Sequence, residues 1–173
     1  MFRRDGHMPA LMGIVNCTPD SFFDGGRYYT TEKAVEHALR LYQEGALILD
    51  IGGESSRPGS EPVSHSEELE RVLPVVQALC QYRTEHQAHF LISIDTTKAS
   101  VAEICLQTGA DIINDISMLR FDLRMSEIVK IYKPYVVLNH IRGTPKTMQQ
   151  APFYRDVIAE VAQELWDAMR LLL

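Results

Sequence analysis

Residues 47–59 read Leu47-Ile48-Leu49-Asp50-Ile51-Gly52-Gly53-Glu54-Ser55-Ser56-Arg57-Pro58-Gly59. An apolar run, 47–51, passes directly into a polar loop rich in glycine and proline. This is how a buried strand delivers a loop at its carboxyl end, where parallel α/β proteins place their chemistry. The same signature stands upstream, where the apolar run 11–15 leads into Asn16-Cys17-Thr18-Pro19-Asp20-Ser21-Phe22. Between the two, residues 31–44 carry Ala34, Val35, Ala38, Leu39 and Tyr42 at helical spacing, and Gly45 supplies a stop. The decisive unit is therefore strand, loop, helix, strand.

Working outward, the alternation continues. Ser64-His65-Ser66-Glu67 has capping-box spacing and opens a helix to about Tyr82, with Pro74 inside it expected to kink it or remove one hydrogen bond. Strands follow at 90–94, 111–114 and 135–138, with helices at 97–108 and 123–132 between them. Pro152 is expected to start a last helix with the apolar face Val157, Ile158, Val161, Leu165, Trp166, Met169 and Leu172, read as core packing. Strands alternating with helices imply parallel strands joined by right-handed crossovers. A five-stranded open sheet fits this pattern, and so does most of a (βα)8 barrel, which needs about 250 residues.

Composition narrows the function classes. A hydrophobic share of 46% against 23% charged residues describes an ordinary globular chain, and a net charge of −6 without a basic run speaks against a nucleic-acid surface. Cys17, Cys80 and Cys105 have no CxxC spacing and read as free thiols of a reducing, cytoplasmic setting. The opening residues have basic character without a long apolar stretch behind them, so neither a signal peptide nor a membrane anchor is expected.

All five expected strand ends carry polar groups: Asn16; Asp50 and 54–57; Asp95 and Thr96; Asn114 and Asp115; Asn139, His140 and Arg142. Such residues also serve as helix caps and turn formers. For Asp95 and Asn114, set in or directly after apolar runs, that plain role is the weaker reading, because a buried polar group needs a partner and a ligand can be one. The Asp95 carboxylate suits the two N–H donors of an amidine-like edge, and Asn114 offers donor and acceptor together. Asn16 is a neutral oxygen ligand fit for Mg²⁺ beside phosphates, while Arg57, Ser55 and Ser56 suit an anion. His86 and His89 read as surface residues, Cys17 as an inert thiol with no local Lys or Arg, and Lys146 as a solvated loop lysine.

These motifs resemble the dihydropteroate synthase family. Residues 12–22 are similar to its first signature and 50–59 to its second. Ser93-Ile94-Asp95-Thr96, Ile112-Ile113-Asn114-Asp115 and 140–149 match later blocks in order. The resemblance implies an α/β (βα)8 barrel of the TIM type, of which 1–173 supplies about the first five βα units as one pterin-binding domain. It implies condensation of 6-hydroxymethyl-7,8-dihydropterin pyrophosphate with 4-aminobenzoate, with sulfonamides as inhibitors and a homodimer as the complete form. By position, Asn16 is the Mg²⁺ ligand, Asp95 and Asn114 hold the pterin, Asp95 as the catalytic group, and Asp50 is a further substrate-binding residue. Ser56 and Arg57 lie near 4-aminobenzoate, and Phe22 is in a closing loop. Ser56 stands where the family usually has Thr, and Asn139 where it usually has Met. The family's later Lys, Arg, His and second pterin-binding Asp find no counterpart by Leu173, so little turnover is expected of the chain alone. A non-catalytic binding or assembly module is the alternative. A corrinoid-linked methyltransferase domain shares the Asp and Asn but gives no reason for the Asn16 and Ser-Arg-Pro loops.

Overall fold

A computed structural model describes residues 9–18, 27–57 and 59–172. Phe22 and the rest of the first loop beyond Thr18 lie outside them, as does Pro58. The elements run β1 (Leu11–Asn16), α1 (Arg27–Gln43), β2 (Ala46–Gly52), α2 (His65–Glu85), β3 (Leu91–Asp95), α3 (Ala99–Thr108), β4 (Ile112–Asp115), α4 (Met125–Tyr132), β5 (Tyr135–Leu138) and α5 (Val157–Arg170).

The sheet order β1-β2-β3-β4-β5 decides between the two architectures. Every strand is parallel to its sequence neighbour and none is skipped. Right-handed crossovers that always step the same way put every helix on one face. A doubly wound sheet would reverse its order to cover both. The covered face holds two apolar layers. Val15, Leu49, Ile51, Ile92 and Ile94 pack with Ala38, Val72, Val76, Leu79 and Cys105. Ile113, Val136 and Leu138 pack with Leu119, Met125, Ile128 and Val129. Because side chains alternate along a strand, the residues between and next to these face inward. The molecule is a five-stranded arc of a TIM barrel wall, helices outside and polar ends inside.

Local features explain the joints. Ser64 caps α2, its Oγ accepting from the Glu67 N–H at 3.2 Å, and α2 runs unbroken through Pro74. Gly109, at φ 124°, ends α3 in a conformation open to glycine. Gly53 is a close approach: a Cβ there would stand 2.8 Å from Val72 Cγ1 and 3.0 Å from the Glu68 carbonyl oxygen. No helix among the described residues is long and apolar enough to cross a membrane.

Two expectations for the last helix are corrected. α5 starts at Val157 rather than Pro152, because Asp156 caps it, accepting from the Ala159 N–H at 3.0 Å, and Glu160 Oε1 accepts from the Asp156 and Arg155 N–H groups. Most of its apolar stripe is not core either, though Leu172 just past its end packs against the second cluster. Ile158 is 80% exposed and Trp166 54%, with Val157 and Met169 also exposed and Ala168 the buried residue of the helix. Polar contacts also hold α5: Glu164 meets Arg120 and Arg142 and lies beside His140, and Arg142 also reaches Glu160 at 3.0 Å.

Candidate active site

Strand register builds the site. Asn16 pairs with Gly52, Gly52 with Asp95, and Asp95 with Asn114, so these residues form one level across β1 to β4. One level below, Asp50 pairs with Ser93. All but Gly52 contribute polar side chains on the inner face, at the carboxyl ends of the strands. Asn16 is exposed at one end of the row.

Hydrogen bonds stitch the row together. Asn114 Nδ2 donates to Asp50 Oδ2 at 2.9 Å, and Asn139 Nδ2 donates to Asn114 Oδ1 at 2.7 Å. Asp50 Oδ1 and Ser93 Oγ are buried side by side, their mutual contact falling short of a well-formed hydrogen bond while the Ser93 hydroxyl still acts on the carboxyl. Buried polar atoms so weakly paired cost free energy, and a ligand is one way to pair them. Burial pushes the Asp50 carboxyl up, partly offset by Ser93 and Asn114. Burial also pushes Asp95 up to about 7, helped by the charges of Asp50, Glu68, Asp115 and Glu54. Asp95 thus titrates near neutrality, poised to gain or lose a proton as charge develops next to it.

Behind Asp95 lies an ionic knot that the sequence reading missed. Lys98 Nζ donates to Glu54 Oε2 at 2.6 Å and also to Glu68, whose residue is fully buried. Burial works against the Lys98 ammonium, but its bonds to both glutamates hold its pKa above the ordinary value. Glu54 Oε2 also accepts from the Val63 N–H at 3.0 Å, fastening both ends of the second loop. The signal for the knot was the position of Lys98: a cation at a helix N-terminus is electrostatically unfavourable and implies buried acidic partners. A pocket of about 20 Å³, room for a single water, lies between this knot, Asp95, Ser55 and Ser56. A larger cavity of about 420 Å³ opens outside it, walled by Pro62, Lys98, Phe121 and Pro145 among others.

Other expected rim residues separate. Ser56 borders the small pocket beside Asp95, whereas Arg57 is exposed on the loop beyond it. Asp115 is a turn former: its Oδ1 accepts from the Ser117 N–H at 2.6 Å and its Oδ2 from the Leu119 N–H at 3.1 Å. Thr96 caps in the same way, accepting from the Lys98 N–H. Arg142 is engaged by Glu160 and Glu164 and lies 4.1 Å from the Tyr154 ring centroid. Lys146 pairs with Glu61, and the Gly59 N–H donates to the Pro145 carbonyl, tying the second and fifth loops. Cys17 is inert as expected, its thiol pushed up to about 12 by burial; Arg71 does act on it, contrary to the absence of a local cation in the sequence, but burial wins. His86 and His89 are surface residues.

The family model described as "Pterin binding enzyme" matches residues 12–172. The chain belongs to the pterin-binding enzyme family. Among pterin-binding enzymes, dihydropteroate synthase of Synechocystis is 47% identical over 158 residues, which are 91% of this chain and 53% of that protein. A dihydropteroate synthase structure from Clostridium difficile, solved with pteroic acid, superposes with TM-score 0.83 at 36% identity, covering 94% of this chain and 58% of that one. The Yersinia pestis synthase, solved as a sulfonamide drug complex, gives TM-score 0.83 at 41% identity, covering 95% and 58%. The chain spans about half the length of the curated relatives it matches.

Proposed function

We propose that this pterin-binding enzyme serves dihydropteroate synthesis, joining 4-aminobenzoate to 6-hydroxymethyl-7,8-dihydropterin pyrophosphate and releasing pyrophosphate. The observation that carries the reading is the inward polar row, in which Asp95, Asn114 and the buried carboxylate of Asp50 converge at one end of the barrel wall. A pterin presents an edge of adjacent N–H donors and acceptors, and these groups match it: carboxylates accept from ring N–H groups, and the second N–H of Asn114 donates to a ring nitrogen or oxygen.

Asp95 then acts as the catalytic group. Departure of pyrophosphate leaves positive charge on the pterin methylene and ring, and a carboxylate fixed in a poorly solvated site stabilises that charge without reorganising. Its position near neutral pKa lets it hold a proton in the free site and release it when a cationic ring edge arrives. Ser56, which borders the small pocket with Asp95, and Arg57, out on the loop, would meet the carboxylate-bearing aromatic amine. Asn16, exposed at the end of the row, fits one ligand position of a Mg²⁺ ion whose other oxygens come from pyrophosphate and water. That ion would supply charge neutralisation for the leaving pyrophosphate.

Calorimetric titration of the chain with dihydropterin pyrophosphate, with and without Mg²⁺, tests this reading. Binding that tightens with Mg²⁺ supports the row as the pterin site and Asn16 as its metal ligand. Absence of binding by a folded sample rejects it.

A further inference from the structure

The cavity of about 420 Å³ beyond the Lys98 knot takes no part in the reading above, and none of Asn16, Asp50, Asp95 and Asn114 lines it. It stands where four segments meet: the second loop through Pro62, the start of α3 through Thr97, the β4–α4 connection through Phe121, and the fifth loop through Pro145. The Gly59 N–H donates to the Pro145 carbonyl at 3.0 Å and Lys146 pairs with Glu61, so the two loops that wall the cavity are fastened to each other. Its size is that of a small-molecule site, about 300–1,000 Å³.

The lining sets the chemistry. Pro62, Phe121 and Pro145 give rigid apolar faces, and Phe121 is 43% exposed. An aromatic ring left wet at a concave wall is available to stack on a flat ligand. The charges around the cavity are already matched. Lys98 is held by Glu54 and Glu68, and Lys146 by Glu61. Asp122 accepts from the Ala99 N–H at 2.9 Å and the Arg124 N–H at 3.1 Å. The Ser60 hydroxyl donates to the Ser55 carbonyl, and the Thr144 and Thr147 hydroxyls pair with each other. An anion therefore finds no free cation here and meets an excess of carboxylates, while a cation would compete with Lys98 and Lys146 for the same oxygens. Thr97 differs: its hydroxyl makes no hydrogen bond among the described residues.

We infer that this cavity is a second small-molecule site, separate from the polar row, for an uncharged planar aromatic that packs against Pro62, Phe121 and Pro145 and shares one hydrogen bond with Thr97. The ligands of the proposed reaction are anions and do not suit it, so the inference does not rest on the pterin-site reading. A bound ring bridges the second and fifth loops and steadies the loop that carries Ser56 and Arg57.

Two probes of the same ring size decide it: 2-naphthol, uncharged at neutral pH, and 2-naphthoate, its carboxylate counterpart. Amide resonances of the isotope-labelled chain are followed during titration with each probe, and melting is recorded for each variant. 2-Naphthol should shift the amides of Thr97, Phe121 and Lys146 and leave those of Asp50, Asp95 and Asn114 unmoved. It should bind about 10-fold more tightly than 2-naphthoate, which must shed its hydration to enter. Thr97→Val keeps the shape and removes the hydroxyl, and should weaken 2-naphthol about 5-fold. Phe121→Lys, at an exposed position, should weaken it about 10-fold and turn the preference toward 2-naphthoate. Should Thr97→Val melt lower than wild type, Phe121→Lys carries the comparison. The proposal is overturned by no shift up to the solubility of 2-naphthol, by shifts confined to the polar row, by equal affinity for the two probes, or by Phe121→Lys binding 2-naphthol within twofold of wild type.

Discussion

Asp95 is half-buried among four other carboxylates, and that placement fixes the sign of two measurements. Its folded pKa of about 7 lies above the ordinary 3.8, so the folded chain retains a proton that the unfolded chain gives up. The stability linked to it is complete below the unfolded value and is lost as pH rises through about 7. Asp95→Asn escapes that loss: it should melt about 3–8 °C above wild type at pH 8, with the gap narrowing as pH falls and closing only below the unfolded value of 3.8. The same variant should bind pteroic acid at least about 30-fold more weakly at pH 8, having lost a charged acceptor. In the wild type, affinity should rise about 10-fold between pH 6 and 8 as the carboxyl ionises, and calorimetry at the two pH values checks it. A flat profile would remove Asp95 from the contact. Residue by residue, the sequence was legible where a polar side chain interrupts an apolar run: Asp95 and Asn114 lie where that logic put them. It was misleading where polarity serves the backbone, as in Asp115 and Thr96, since a turn-forming carboxylate and a ligand-facing one look alike until the fold places them.

Lys98 joins α3 to α2 and to the second loop, so its removal should act on elements rather than on one contact. Lys98→Met strands Glu68 as an unpaired buried carboxylate and should cost about 3–5 kcal/mol in urea unfolding. It should also free the loop, speeding cleavage of the Glu54–Ser55 bond by a glutamate-specific protease. Adding Glu68→Leu should restore much of the stability but not the loop protection, because Glu54 still lacks its cation. Gly53→Ala forces a Cβ against Val72 and the Glu68 backbone and should cost about 1–3 kcal/mol. Element existence was readable from periodicity throughout. The ends were less so: the first turn of α5 was assigned to Pro152 because proline favours helix starts, whereas the Asp156 side chain and Glu160 define the actual cap. The Lys98 knot joins residues 30 and 44 positions away, a separation no local pattern reports.

The arc leaves β1 and β5 as sheet edges and presents the apolar stripe of α5 to solvent. Open parallel edges next to apolar surface promote association. Sedimentation velocity of the 173-residue chain should show concentration-dependent self-association, and Ile158→Lys with Val157→Lys should weaken it. A monomer at every concentration, with a cooperative melt, would contradict this. Sequential parallel order could not be chosen from spacing alone, because a wound sheet and a barrel wall use the same βα unit; only strand adjacency separates them.

The exposure of Trp166 has a practical side. It is the sole indole of the chain, about half in water on the stripe of α5. Its emission therefore gives a label-free colour signal: red-shifted while the stripe is wet, moving to the blue when any surface closes over it. Assembly can thus be followed in a cuvette, in real time, without touching the residues that face the ring.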